Sequence, residues 1–233
     1  MFMLKQGDTN IHPSQREGEG DLNADYVART TRFLETYSDK YMGSRLNDKT
    51  GEEETYPVFD PRGMLGECGT EQNHYGYVVP YSDYGERVKP CVFIELNPVF
   101  GWTPEPYDCE AEENYYDSSE ACQHIQEQGE DAANNVYINC MGRNPADQEA
   151  LQGGLTYYPA NRGFPIAYFP FKGKGPEAGG NYHAPLVAVK ISPREGHKGQ
   201  LIHMECRAYY KGVKHNTETN EGIVTFELQI NDC

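Results

Sequence analysis

Cysteine is the residue type whose number and spacing could do the most chemistry in this chain. Seven occur: Cys68, Cys91, Cys109, Cys122, Cys140, Cys206 and Cys233. A structural zinc site needs closely paired cysteines or histidines, and no such spacing is present. Disulfides are the better reading. Cys68 and Cys91 bracket a Gly- and Tyr-rich loop, and Cys140 and Cys206 bracket a longer segment. Both brackets read as covalent staples of an extracellular β domain. Closed, they would stabilise it by about 3 and about 4 kcal/mol in the chain-entropy model. Cys109 and Cys122 lie inside an acidic stretch and would pin it into a compact loop, leaving Cys233 as the odd residue.

The other reactive residue types form no constellation. His12, His74, His124, His183, His197, His203 and His215 are scattered, with no pair at ligand spacing. No Gly-x-Ser-x-Gly elbow, no phosphate-cradling loop ending in Gly-Lys-Ser/Thr and no His-Glu-x-x-His helix is present. Gly173-Lys174-Gly175 lacks the flanking strand and helix of a nucleotide loop. A calcium loop would need an Asp-x-Asp-x-Asp-Gly pattern, which is missing. No catalytic residue, metal site or cofactor is therefore assigned; an enzyme stays open at this point, but nothing in the residues asks for one.

Composition narrows the partners. With 20 Lys and Arg against 36 Asp and Glu, the net charge of −16 excludes a phosphate backbone as ligand. The acidity concentrates in residues 105–131, which hold ten Asp and Glu and no Lys or Arg. That stretch reads as a solvated loop. No apolar run is long enough to span a bilayer, and residues 1–8 are too polar for a signal peptide. A disulfide-type chain with these features is expected to be an ectodomain whose membrane segment lies outside it. Hydrophobic residues are 37% of the 233, but 18 Tyr and 9 Phe supply buriable area with polar tips.

The elements that must position the cysteines follow from periodicity. Residues 1–20 read as a flexible lead-in, and residues 21–55 as a helix and linker. Leu22, Tyr26, Thr30, Phe33 and Leu34 fall on one helical stripe, ending near Tyr37. Residues 56–233 read as the extracellular β domain. Cys91 to Leu96 is a short apolar run, and Pro185 to Ile191 is a near-continuous buried one. Val136, Ile138 and Cys140 share a strand face, as do Ile202, Met204, Cys206 and Ala208. Val224, Phe226, Leu228 and Ile230 alternate with Thr225, Glu227 and Gln229, which is period two and not helical. One short helix is expected from Pro145 to Leu151. Inward cysteines on two strands suit a bridge between the sheets of an immunoglobulin-like antiparallel β sandwich. The expected fold is that sandwich, mainly β, with a leading amphipathic helix and long loops.

Aromatic residues beside proline stand out in this frame: Tyr157-Tyr158-Pro159, and Phe164 through Gly173. Rigid aromatics of this kind serve either as interface anchors or as edge packing.

These segments and several others resemble the β subunit of the Na⁺/K⁺-transporting P-type ATPase, with the H⁺/K⁺ pump β subunit a close relative. The blocks are Leu65-Gly66-Glu67-Cys68, Tyr75-Gly76-Tyr77, Lys89 through Asn97, Gly101-Trp102-Thr103-Pro104 and Asn144-Pro145-Ala146-Asp147. Tyr157-Tyr158-Pro159, Phe164 to Lys174, Tyr182 to Val189 and Glu205-Cys206-Arg207-Ala208-Tyr209 complete them, in order and in register.

The resemblance implies a type II plasma-membrane protein with an immunoglobulin-like ectodomain on the extracellular face, reached through the secretory pathway. It implies a non-catalytic partner of the pump's α subunit, supporting assembly and delivery and tuning cation affinity. It implies disulfides Cys68–Cys91 and Cys140–Cys206. It also implies α-subunit contact through Tyr168, Phe169, Pro170, Phe171, Lys172, Gly173, Tyr182, Pro185 and Leu186. The chain departs from the family in having no cysteine near Val58 and no Asn-x-Ser/Thr sequon. Cys109–Cys122 would be a staple of this chain's own. The rival expectation is a stand-alone secreted or adhesive immunoglobulin-like binding domain.

Overall fold

The computed structural model describes residues 2–3, 10–11, 32–37, 42–46, 53–57, 59–69, 77–78, 89–109, 118–173, 182–197 and 199–230. Two five-stranded sheets carry the fold. The first contains β1 (Phe2–Met3), β5 (Tyr77–Val78), β6 (Lys89–Leu96), β8 (Leu155–Tyr158) and β10 (Leu186–Ile191). Its main path runs β1-β6-β10-β8, with β5 paired to β6. The second contains β2 (Asn10–Ile11), β7 (Asn135–Gly142), β9 (Gly163–Pro165), β11 (Leu201–Tyr209) and β12 (Ile223–Ile230), in the order β2-β12-β11-β7-β9. Every pairing is antiparallel except β2 with β12.

The sheets share one core. Val92 and Ile94 of β6 and Leu186 through Val189 of β10 pack in the same cluster as Ile138, Ile202, Met204, Val224, Phe226 and Leu228. The architecture is a mainly antiparallel β sandwich. The strongest sequence patterns became its central strands: buried runs gave β6 and β10, and alternation gave β7, β11 and β12.

The Cys140–Cys206 bridge differs from the expected inter-sheet link. Cys140 and Cys206 face each other in register on adjacent strands β7 and β11 of one sheet, with Cα atoms 4.0 Å apart. Both geometries put cysteines inward, and strand register decides between them. Directly opposed cross-strand residues already have the close spacing a disulfide needs. Cys68, in a 3₁₀ turn at Gly66–Gly69, is bonded to Cys91 of β6 across 5.9 Å between Cα atoms. Cys109 and Cys122 are bonded as well, with Cα atoms 5.6 Å apart.

Two segments depart from the sequence reading, and a third is described only in part. Of the expected leading helix only a turn at 32–35 (α1) is described, with Leu34 and Tyr37 buried; residues 21–31 lie outside the described residues. The polar stretch read as linker contains a two-stranded sheet, β3 (Met42–Leu46) with β4 (Glu53–Pro57). The acidic stretch contains a helix, α3 (Ser118–Glu127), following the short α2 (Pro61–Met64). α3 lies on the outer face of β7 and β11, where Ala121 and Ile125 pack with Tyr137 and Tyr209 in a second small core. That cover explains why β11 also buries Tyr209, which lies opposite the face of Ile202, Met204, Cys206 and Ala208.

The short helix expected at Pro145–Leu151 (α4) is present. Asn144 caps it, its side-chain oxygen accepting from the Asp147 N–H at 2.9 Å, and Pro145 occupies the first turn, where its missing N–H costs nothing. Gly142 lets α4 lie against β7: a Cβ there would overlap the backbone at Asp147 and Gln148.

Candidate functional site

The residues expected to meet a partner gather at one end of the sandwich, but the chain divides them by depth. After β9 the backbone makes a 3₁₀ turn over Ile166–Tyr168, closed by the Phe169 N–H donating to the Ile166 carbonyl at 2.9 Å. Phe169 is extended, as a residue before proline prefers, and its peptide bond to Pro170 is cis. Tyr168 and Phe169 turn inward and are buried. The Tyr168 ring meets Phe59 edge-on at 6.0 Å, and Phe169 meets Trp102 at 5.8 Å. Pro185 and Leu186 are buried at the start of β10. Half-buried Pro170, Phe171, Lys172, Gly173 and Tyr182 remain within reach of solvent.

Phe171 organises the accessible part. Its ring lies 5.0 Å from that of Tyr182. Its carbonyl accepts from the Gly101 N–H at 2.8 Å, and its backbone bridges to Phe100. The turn at 99–102 is closed by the Trp102 N–H donating to Val99 at 3.2 Å, with Gly101 in the left-handed region at φ 71°. A side chain at Gly101 would strain that backbone. The turn holds Val99 at 46% and Phe100 at 73% exposure. Among the described residues they, with Leu201 at the opposite end of β11, are the large hydrophobics left exposed.

The floor beneath this face is aromatic and rigid. Tyr37 packs against Phe33, Phe59 and His183, and its hydroxyl donates to the Ala184 carbonyl at 3.0 Å. Burial first, then the Glu95 carboxylate, pushes the Tyr37 phenol well above its ordinary range. Burial, helped by Asp60, raises Tyr168 likewise. These hydroxyls stay neutral at working pH.

A polar cluster lies elsewhere, where α4 meets β11 and β12. His203 Nδ1 is 3.6 Å from Asp147 and its Nε2 is 3.4 Å from Glu227. Glu205 pairs with Arg207 at 2.7 Å and faces Arg143 at 3.9 Å. These contacts tie α4, β11 and β12 together. Among the described residues no group of three or more His, Cys, Asp or Glu could hold a metal ion. No described helix is long and apolar enough to cross a membrane. The Phe171 end presents partly exposed aromatic area.

Sequence reasoning passed over Val99 and Phe100. The available signal was an apolar pair inside an Asn97-Pro98…Gly101 turn, where turn chemistry favours polar residues. It also could not sort Tyr168 from Phe171, because a proline-broken segment carries no periodicity.

Residues 14–226 match the family model for the sodium/potassium ATPase beta chain. The chain is similar to sodium/potassium-transporting ATPase subunit beta-1 of Drosophila melanogaster, 32% identical over 167 residues, covering 71% of this chain and 47% of the relative. It is 31% identical to the fly subunit beta-2 over 69% of this chain and 46% of the relative. Mouse subunit beta-2 is 27% identical over 226 residues, 88% of this chain and 63% of the relative. The chain thus spans about half the length of the fly relatives it matches.

Proposed function

The chain belongs to the sodium/potassium ATPase beta chain family, and from that membership we propose that it is the extracellular part of a non-catalytic pump subunit. In this reading it assembles with the catalytic α subunit of a P-type cation pump at the plasma membrane, supports its delivery there and tunes its cation affinity. The observation that carries the reading is the family match across residues 14–226. The face around Phe171 is the proposed contact. Half-buried Phe171 and Tyr182 beside exposed Phe100 offer preorganised aromatic area, the kind of anchor that binds at low entropic cost.

Tyr168, Phe169, Pro185 and Leu186 support that face from below. Pro170, Phe171, Lys172, Gly173 and Tyr182 are the proposed touching residues. Membrane association would run through a segment outside this chain.

The test is co-expression with a sodium pump α subunit, with and without a membrane helix grafted ahead of the chain. Affinity capture and cation-dependent ATP hydrolysis are then measured. Capture of the α subunit with active pump, reduced by Phe171→Ser in a chain whose circular dichroism is unchanged, supports the proposal. A folded chain that captures no α subunit in either form contradicts it, and favours the adhesive binding domain.

A further inference from the structure

The three disulfides have different surroundings. Cys68, Cys91, Cys140 and Cys206 belong to the sandwich core and are fully or almost fully buried. Cys109 and Cys122 are partly exposed at the margin of the second core. Thiol–disulfide exchange requires a thiolate to reach a sulfur, so solvent access ranks these bonds.

What the marginal bond holds is visible in the same cluster. α3 has ten residues, too few to stay helical in water unaided. Only Ala121 and Ile125 of α3 join the buried cluster, beside a His124 Nε2 contact to the Asn161 carbonyl at 2.9 Å. On the other side of the bond runs the stretch from Trp102 to Cys109. Tyr107 in that stretch packs edge-on to Tyr209 at 5.4 Å, and Glu105 pairs with Lys211 at 2.6 Å. Beneath both lie Tyr137 and Tyr209, the latter 1% exposed.

We propose that Cys109–Cys122 is a redox-sensitive clasp: a dithiol reductant opens it while the two core disulfides stay closed, and its opening releases α3 from β7 and β11. In the step, a reductant thiolate attacks one of the two sulfurs. The Cys109–Cys122 bond breaks as a mixed disulfide forms, and the second reductant thiol then closes a disulfide within the reductant. Two electrons pass to the protein, and Cys109 and Cys122 take up, as thiols, the two protons the reductant gives up. The sequence separation of the bond is 13 residues. In the chain-entropy model, opening a loop of that length makes the docked state about a hundredfold less favoured. β6 and the β7–β11 pair keep their own staples, so the sandwich persists.

The experiment is brief treatment of the folded protein with dithiothreitol, alkylation at successive times, peptide mapping and hydrogen exchange on the same samples. Cys109 and Cys122 are expected to be alkylated about tenfold or more ahead of the other four. Amide protection should fall across Ser118–Glu127 and persist in β10 and β11. Simultaneous reduction of all three bonds, or earlier reduction of Cys68–Cys91, overturns the proposal. So does an α3 that keeps its protection after the bond has opened. A Cys109→Ser/Cys122→Ser double variant should show the same α3 exchange without reductant. Native-like protection in that variant overturns the holding role.

Discussion

Removing the hydroxyl of Tyr157 tests how the sandwich closes an open backbone position. Cys140 and Cys206 are directly opposed with Cα atoms 4.0 Å apart, the spacing of a non-hydrogen-bonded pair. The Cys140 N–H and C=O therefore point away from β11. On that side β9 pairs only as far as Tyr137, through Gly163. Tyr157, from β8 of the other sheet, fills the gap: its hydroxyl accepts from the Cys140 N–H at 2.9 Å and donates to the Cys140 carbonyl at 3.4 Å. The Arg162 guanidinium lies 4.3 Å over the same ring and donates to Asn139 at 2.9 Å.

Tyr157→Phe keeps the ring and so creates no cavity. It leaves a buried N–H unmet, which costs about 1–3 kcal/mol. Part of that is offset because the phenol no longer needs burying, so a net loss of about 2 kcal/mol is expected. For a domain of this size that is a fall in Tm of roughly 4–8 °C. Tyr158→Phe, on the same strand but partly exposed beside Lys190, is the control and should stay within ~0.5 kcal/mol. Equilibrium urea unfolding without reductant, followed by near-ultraviolet circular dichroism, measures both. A Tyr157→Phe loss no larger than that of Tyr158→Phe would refute the reasoning.

Two further outcomes follow from the same structure. Replacing Cys140 and Cys206 together by Ala, which removes a link of separation 66, should cost about 4 kcal/mol in urea unfolding. Their directly opposed register should survive as strand pairing in hydrogen exchange. Alkaline titration should also show a late cooperative step in tyrosinate absorbance. Burial pushes Tyr209 up to about 12, and also raises Tyr37, Tyr137, Tyr157 and Tyr168. A folded value above the unfolded value of 10 means the fold favours the neutral phenol. That stability is complete below pH ~10 and is lost as pH rises through the folded values, by about 2–3 kcal/mol for Tyr209 alone. Smooth titration of all five near pH ~10, with the fold intact, would contradict this.

Much of the sandwich was legible because its central strands bury one or both faces, and burial writes itself into the order of apolar residues. Val224, Phe226, Leu228 and Ile230 could alternate only as a strand. Register was not legible. Inward cysteines at 140 and 206 satisfy a link across sheets or across neighbouring strands, and the choice depends on which strands pair over long range. α3 was missed because its sequence is polar and acidic, with Ala121 and Ile125 as its only spaced apolar signal. It is helical where Tyr137, Tyr209 and the Cys109 bond hold it. The β3–β4 pair was missed in a polar stretch that strand alternation does not mark. In the contact segment the residue types were visible, but not which rings turn inward. That depends on Phe59 and Trp102, which are distant in sequence from Tyr168 and Phe169.

The proposed docking of the Phe171 face is tested most directly by site-specific photo-crosslinking in the complex with a sodium pump α subunit. A photoreactive phenylalanine analogue is placed at Phe171, or separately at Leu201, which is also exposed but at the opposite end of β11. The account predicts an adduct with the α subunit from position 171 and none from position 201. An α subunit captured intact, but crosslinked from 201 and never from 171, would contradict it.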